Sequence, residues 1–191
     1  MEELKDKILR EAIVIGNDTV KVDGFLNHML DVGFLERVGE AIAERFSGCR
    51  IDKVLTVESS GIAVACMTSR KLGYPPVVFA KKTLPSTMSR GFFESEARSF
   101  TKGTISVVRV SRDFISPGEN ILIVDDFLAH GEAASALADI VSQAGAHTAG
   151  VGIVIEKRFQ GGSEKLRELG LKVESLAVID EIREGRIIFG E

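Results

Sequence analysis

Strands and helices alternate through the middle of this chain, which predicts an α/β fold: a mostly parallel twisted sheet flanked by helices. Three observations carry that expectation. Ile121-Leu122-Ile123-Val124 is an unbroken aliphatic run, as a strand buried on both faces requires. A helix pattern follows it, with Ala134, Leu137 and Val141 on one face. The same strand–turn–helix order occurs at 53–72, and a further buried strand is expected at 149–155. At 191 residues, one domain is the expectation, large enough to bury a full α/β core.

The elements follow in order. Residues 2–12 alternate charges with Leu4, Ile8 and Leu9 at helical spacing, predicting a short amphipathic helix. Ile13-Val14-Ile15 and Thr19-Val20-Lys21-Val22 flank Gly16-Asn17-Asp18, which is a hairpin signal. Asn27 and His28 come next, at positions that would also suit a turn and a surface contact. Leu35, Val38, Ala41, Ile42 and Arg45 describe one face of a helix ending near Ser47-Gly48. Lys53–Val57 reads as a buried strand, followed by the turn Glu58-Ser59-Ser60-Gly61 and a helix at 62–72 closed by Gly73. Pro75-Pro76 opens a strand, Val77–Ala80, that delivers Lys81 and Lys82 to the same rim. The stretch 83–101 is polar and irregular, and a loop this long is functional or disordered; Phe92 and Phe93 are expected to be exposed on it. A β-rich run occupies 103–110, a turn 116–119, and Gly145 caps the central helix. The strand at 149–155 ejects Glu156-Lys157-Arg158-Phe159 at its carboxyl end. A helix at 164–169, a strand at 171–179 and a terminal strand at 187–189 complete the chain, the last expected to pair with the N-terminal hairpin.

The chemistry gathers where the central strand leaves the core. Asp125 and Asp126 stand there, and a short turn around Gly131 leads into the next helix. Open α/β sheets bind ligands at the carboxyl ends of their strands. The free N–H groups of a turn entering a helix hold phosphate. Carboxylates beside such a cradle suit a sugar phosphate, since they accept from its hydroxyls while backbone donors take the phosphate. The competing reading is a simple helix cap, which aspartate serves well. The paired acid of a receiver domain fits less well, because that pair lies on the first strand and about 120 residues precede this one. The serine turn at 58–61 repeats the logic as a second anion cradle, or is an ordinary serine-capped turn.

Composition narrows the partners. A net charge of −4, from 24 basic and 28 acidic residues without a basic block, argues against a nucleic-acid partner. Cys49 and Cys66 have no metal-ligand spacing and read as reduced thiols of a cytoplasmic protein. Residues 1–10 are charged throughout, unlike a signal peptide, and no apolar run approaches a membrane span.

Val124-Asp125-Asp126-Phe127-Leu128-Ala129 with Gly131 resembles the phosphoribosyl diphosphate (PRPP) motif of type I phosphoribosyltransferases. That family's loop usually ends Thr-Gly-Gly-Thr, whereas this one reads Ala129-His130-Gly131-Glu132-Ala133, lacking both hydroxyl donors. The departure is similar to the Ala-Asn-Gly-Gln-Ala type loop of the xanthine phosphoribosyltransferase branch. Lys21-Val22-Asp23-Gly24-Phe25-Leu26-Asn27-His28, Glu58-Ser59-Ser60-Gly61-Ile62-Ala63 and Gly152-Ile153-Val154-Ile155-Glu156-Lys157 resemble that branch in order and spacing.

The resemblance implies transfer of a phosphoribosyl group from PRPP to xanthine, with Mg2+ carried by the diphosphate. It implies that Asp125 and Asp126 hold the ribose hydroxyls and that Ala129, His130, Gly131, Glu132 and Ala133 hold the 5-phosphate. Ser60, Gly61, Lys81 and Lys82 would face the diphosphate, and Val20, Asn27 and Lys157 the purine. It also implies a non-proline cis peptide in the serine turn, assigned to the Ser59–Ser60 bond. A hood from 1–33 and about 180–191, a mobile lid at 83–101 and a homodimer follow in the same way. The same reaction on guanine or hypoxanthine, and a regulator that senses PRPP without turning it over, are the alternative readings.

Overall fold

A computed structural model describes residues 1–83, 91–99 and 104–190. The first helix, α1 (Glu2–Glu11), buries Leu4 and Ile8, one turn apart, and leaves its charges outside. The hairpin follows as β1 (Ile13–Ile15) and β2 (Thr19–Lys21), paired antiparallel with Val14 opposite Val20. Gly16 makes the turn possible at φ +62°, a conformation that costs glycine nothing. A single π-helical turn, Asp23–Asn27, buries Phe25 and Leu26. Asp31 then caps α2 (Val32–Arg45) by accepting from the Phe34 N–H at 3.0 Å.

The main sheet begins with β3 (Lys53–Val57), α3 (Gly61–Lys71) and β4 (Val77–Ala80). A separate antiparallel ribbon, β5 (Phe92–Ser99) and β6 (Thr104–Ser111), comes next. The chain then runs through β7 (Asn120–Leu128), α4 (Glu132–Gln143), β8 (His147–Lys157) and α5 (Gly162–Glu168). It ends with β9 (Val173–Arg183) and β10 (Arg186–Phe189). The six-stranded sheet has the order β10-β9-β8-β7-β3-β4 and is parallel except for β10. Its inner strands β3, β7 and β8 are buried on both sides, as a parallel sheet under two helical layers demands. One layer joins Leu4, Phe34, Val38 and Phe46 to the sheet; the other joins it to Leu137, Ile140 and Leu166.

Two expectations are corrected. The stretch 83–101 is not irregular throughout, because it contains β5. Phe93 and Ala97, four residues apart, point into the cluster that holds Leu137 and Val108, while Glu94 and Glu96 face outward. The period of two was masked by the serine and glutamate content. Phe93 is accordingly 7% exposed rather than presented to solvent, and Phe92 is only partly exposed. Gln143 fixes the ribbon to α4 by donating to the Glu94 carbonyl at 2.8 Å. The rest of the proposed lid, residues 84–90 and 100–101, lies outside the described residues. The terminal strand pairs with β9 and not with the N-terminal hairpin. Glu184 and Gly185 both have positive φ, at 50° and 75°, so they form a two-residue turn that folds β10 directly back.

Candidate functional site

The carboxyl ends of the parallel strands β3, β4, β7 and β8 share one rim. β7 keeps its burial to the end, so Asp125 and Asp126 are 6% and 7% exposed. The Asp126 N–H donates to Asp125 Oδ1 at 3.0 Å. Burial, and then the neighbouring Asp126 carboxylate, push the Asp125 carboxyl well above its ordinary range, while the Lys82 ammonium pulls it back. A carboxyl that pays for desolvation without a ligand is poised to accept hydrogen bonds from one.

Beyond the acids the chain turns through Ala129 and His130 to Gly131, which takes φ +76° and opens α4. No side chain caps that helix, so its first N–H groups face outward with the positive end of its dipole. The loop is braced from behind. His130 Nδ1 lies 3.0 Å from the Gln160 carbonyl, and Lys165 pairs with Glu132 at 2.7 Å. A Cβ on Gly162 would collide with the Ala129 carbonyl and lie 2.8 Å from the Gly131 nitrogen.

The second turn stands opposite. The cis peptide is Glu58–Ser59, one residue earlier than the Ser59–Ser60 bond expected from the sequence. Ser60 precedes α3 without a side-chain cap, and of the helix's first N–H groups that of Ile62 donates back to the Ser59 carbonyl at 3.2 Å. Gly61 is hemmed in: a Cβ there would collide with Thr56 Oγ1 and lie 2.8 Å from Asp125 Oδ1. The serine turn, the acids and the start of α4 line one cavity of about 510 Å3, through Glu58, Ser59, Ser60, Lys82, Asp125, Asp126 and Ala133. Its volume suits a small ligand. Glu58 also accepts from the Lys82 N–H at 2.7 Å, tying the ends of β3 and β4 together.

The two lysines part company. Lys82 lines this cavity, whereas Lys81 lines a different, largely apolar one with Phe79, Val110 and Phe114. The Lys81 backbone is bridged in both directions to Arg109 on β6.

Lys157 ends β8 and reaches the N-terminal hairpin, donating to the Asp18 carbonyl at 2.9 Å. Its ammonium also sits 6.0 Å from the centroid of Phe127. Burial lowers the pKa of Lys157, and the Asp18 carboxylate opposes that shift. Val20, on the same hairpin, is 7% exposed, and Asn27 closes the π-helical turn with its side chain exposed. Sequence reasoning passed over Thr56, Glu58 and Gly162. The glutamate at a strand end and the Gly161-Gly162 pair were visible signals, but what they touch required coordinates.

The phosphoribosyl transferase domain model matches residues 31–177. A xanthine phosphoribosyltransferase of Laribacter hongkongensis is 53% identical over 190 residues, covering 100% of both chains. Xanthine phosphoribosyltransferase 1 of Clostridium perfringens is 49% identical, covering 99% of this chain and 100% of its own. The crystal structure of adenine phosphoribosyltransferase from Rhodothermus marinus superposes with a TM-score of 0.75 at 21% identity, covering 94% of this chain and 100% of that one, a likeness of fold. An acid pair at a buried strand end is thus found in a chain that matches this domain model over residues 31–177 and these relatives over 99–100% of its length: the chain belongs to the phosphoribosyltransferase family.

Proposed function

We propose that this chain transfers the phosphoribosyl group of PRPP to xanthine, yielding xanthosine 5-phosphate and diphosphate in purine salvage. The observation that carries the reading is the shared cavity: the acid pair, the serine turn with Lys82 and the start of α4 meet around about 510 Å3. Relatives named for this reaction match the chain end to end.

Asp125 and Asp126 accept from the ribose hydroxyls, and the N–H groups of 129–133 take the 5-phosphate. Ser60, Gly61 and Lys82 face the diphosphate, with Lys81 acting through the backbone that positions Lys82. The C1–diphosphate bond breaks as a purine nitrogen forms its bond to C1, and positive charge develops on the ribose meanwhile. Asp125 and Asp126 lie where that charge is stabilised, and the rim excludes water that would hydrolyse the cation. No protein nucleophile is needed. Positioning supplies the rate.

Mg2+ would be carried mainly by PRPP itself, since among the described residues no three His, Cys, Asp or Glu side chains are grouped to hold a metal ion. When bound, it would neutralise the charge of the leaving group.

At the base, Lys157 has three donor hydrogens and spends one on the Asp18 carbonyl. The others select an oxygen at purine position 6 over the amino group of adenine. Val20 supplies an apolar contact to the ring, and Asn27 a polar one. The 1–33 segment and about 180–191 act as a hood, and the assembly is a homodimer in the cytoplasm, by likeness to the family.

The test is PRPP-dependent release of diphosphate. Asp125→Asn with Asp126→Asn keeps side-chain size and removes the charge, and should lower turnover by more than about 100-fold, as loss of two charge-assisted hydrogen bonds implies. Near-normal turnover in the folded double variant would make the pair a mere helix cap.

A further inference from the structure

A second buried carboxylate lies near the same rim. Glu156, at the end of β8, is 2% exposed. Its Oε1 accepts from the Ser163 hydroxyl, and its Oε2 accepts from the Ser175 hydroxyl at 2.6 Å. Burying a carboxylate in an apolar sheet is costly unless its oxygens are satisfied, and here each has a hydroxyl donor. Leu or Val would pack this strand end at no such cost.

The two serines lead to different places. Ser175 belongs to β9 and stays inside the sheet. Ser163 is fully buried in the first turn of α5, directly after Gly162. Gly162 is the residue on which the 129–131 turn rests, with no room for a Cβ between it and the Ala129 carbonyl. Neighbouring residues of the same segment brace the turn too, Gln160 through His130 and Lys165 through Glu132. The whole 160–165 brace is thereby hung from the sheet by the Glu156 carboxylate.

We infer that Glu156 is a positioning residue for the 5-phosphate: acting through Ser163 and Gly162, it sets the height of the 129–133 loop against the sheet. This rests on the reading that the loop holds the PRPP 5-phosphate. The carboxylate touches no substrate. It acts on the side of α5, whereas the next residue, Lys157, serves the hairpin and the base.

The serines give an internal control. Ser163→Ala and Ser175→Ala each remove one buried hydroxyl from the same carboxylate, yet only Ser163 leads to the loop. Ser163→Ala should raise the KM for PRPP about tenfold, the effect of one charge-assisted hydrogen bond. The KM for xanthine and kcat should change less than twofold. Ser175→Ala should leave all three near wild type. Glu156→Gln can still bond both hydroxyls, since they rotate, and should fall between wild type and Ser163→Ala. Calorimetric binding of ribose 5-phosphate should weaken in the same order, with thermal unfolding as the check that each variant is folded.

Equal effects of the two serine substitutions, or equal rises of KM for PRPP and xanthine in Ser163→Ala, would overturn the inference and make the carboxylate a general core element. The reading beneath it fails separately: a wild-type protein that binds neither PRPP nor ribose 5-phosphate removes the loop's assigned ligand, whatever the variants do.

Discussion

Gly61→Ala perturbs the serine turn and the acid pair with one methyl group. The added Cβ would collide with Thr56 Oγ1 and stand 2.8 Å from Asp125 Oδ1. An ordinary carbon–oxygen contact is about 3.3 Å, so the carboxylate must retreat by about 0.5 Å and the threonine hydroxyl by more. Neither has an easy escape. Thr56 is fully buried and, being β-branched, is stiff at χ1. Asp125 is held by the Asp126 N–H and the end of β7. Overpacking of this kind costs about 1–3 kcal/mol of stability. Misplacing a substrate-orienting carboxylate by a fraction of an ångström costs roughly 10- to 100-fold in rate.

The assay is diphosphate release alongside thermal unfolding, with Gly61→Ala compared to Gly61→Ala combined with Thr56→Ala. Removing Oγ1 relieves the worse collision, so the double variant should regain most of the stability. It should regain only part of the activity, because the contact with Asp125 persists. A Gly61→Ala enzyme with wild-type kcat/KM would refute the argument that this glycine spaces the serine turn from the acid pair.

Asp125→Asn alone should abolish most activity while stabilising the ligand-free protein. A carboxyl whose pKa is raised on folding contributes stability at low pH that is lost as pH rises through the raised value, so the variant should exceed wild type by about 1 kcal/mol near neutrality, with the gap closing in acid. A constant gap across pH, by denaturant titration, would contradict this. Lys157→Met should lower kcat/KM for xanthine by about 10- to 100-fold, as loss of a buried donor to the 6-oxygen implies, yet leave PRPP binding within about twofold. Unchanged use of xanthine would remove Lys157 from the base site.

Much of this was legible because the aliphatic strands are dense and local. Lys53–Val57 has the bounds its apolar run suggests, since burial on both faces leaves no period to misread, and Val77–Ala80 is bounded by Pro75-Pro76 before it and the lysines after it. The acid pair could be placed because a strand that ends in charge ends at the rim. β5 was missed for the opposite reason: half its residues are polar, and the partners of Phe93 and Ala97 lie distant in sequence, on α4 and β6. The pairing of β10 turned on the φ values of Glu184 and Gly185, which a glutamate does not advertise. The brace behind the 129–131 turn was hidden as well. Gly162 lies 31 residues beyond Gly131, and only the packing of α5 against α4 makes them neighbours.

The central claim is the choice of base, and kcat/KM for diphosphate release, measured with PRPP and each purine in turn, tests it most directly. The proposed role of Lys157 is to choose the 6-oxygen with its donors, so adenine should be inactive. Hypoxanthine lacks the 2-oxygen and guanine brings a donor in its place, so a donor of the proposed base site that faces this position would be left unpaired or opposed, at roughly 5- to 150-fold. Xanthine should therefore lead, with guanine and hypoxanthine behind by at least about fivefold. Adenine as the best substrate, or equal rates for all four bases, would contradict the assignment of Lys157 to the 6-oxygen and with it the proposed reaction.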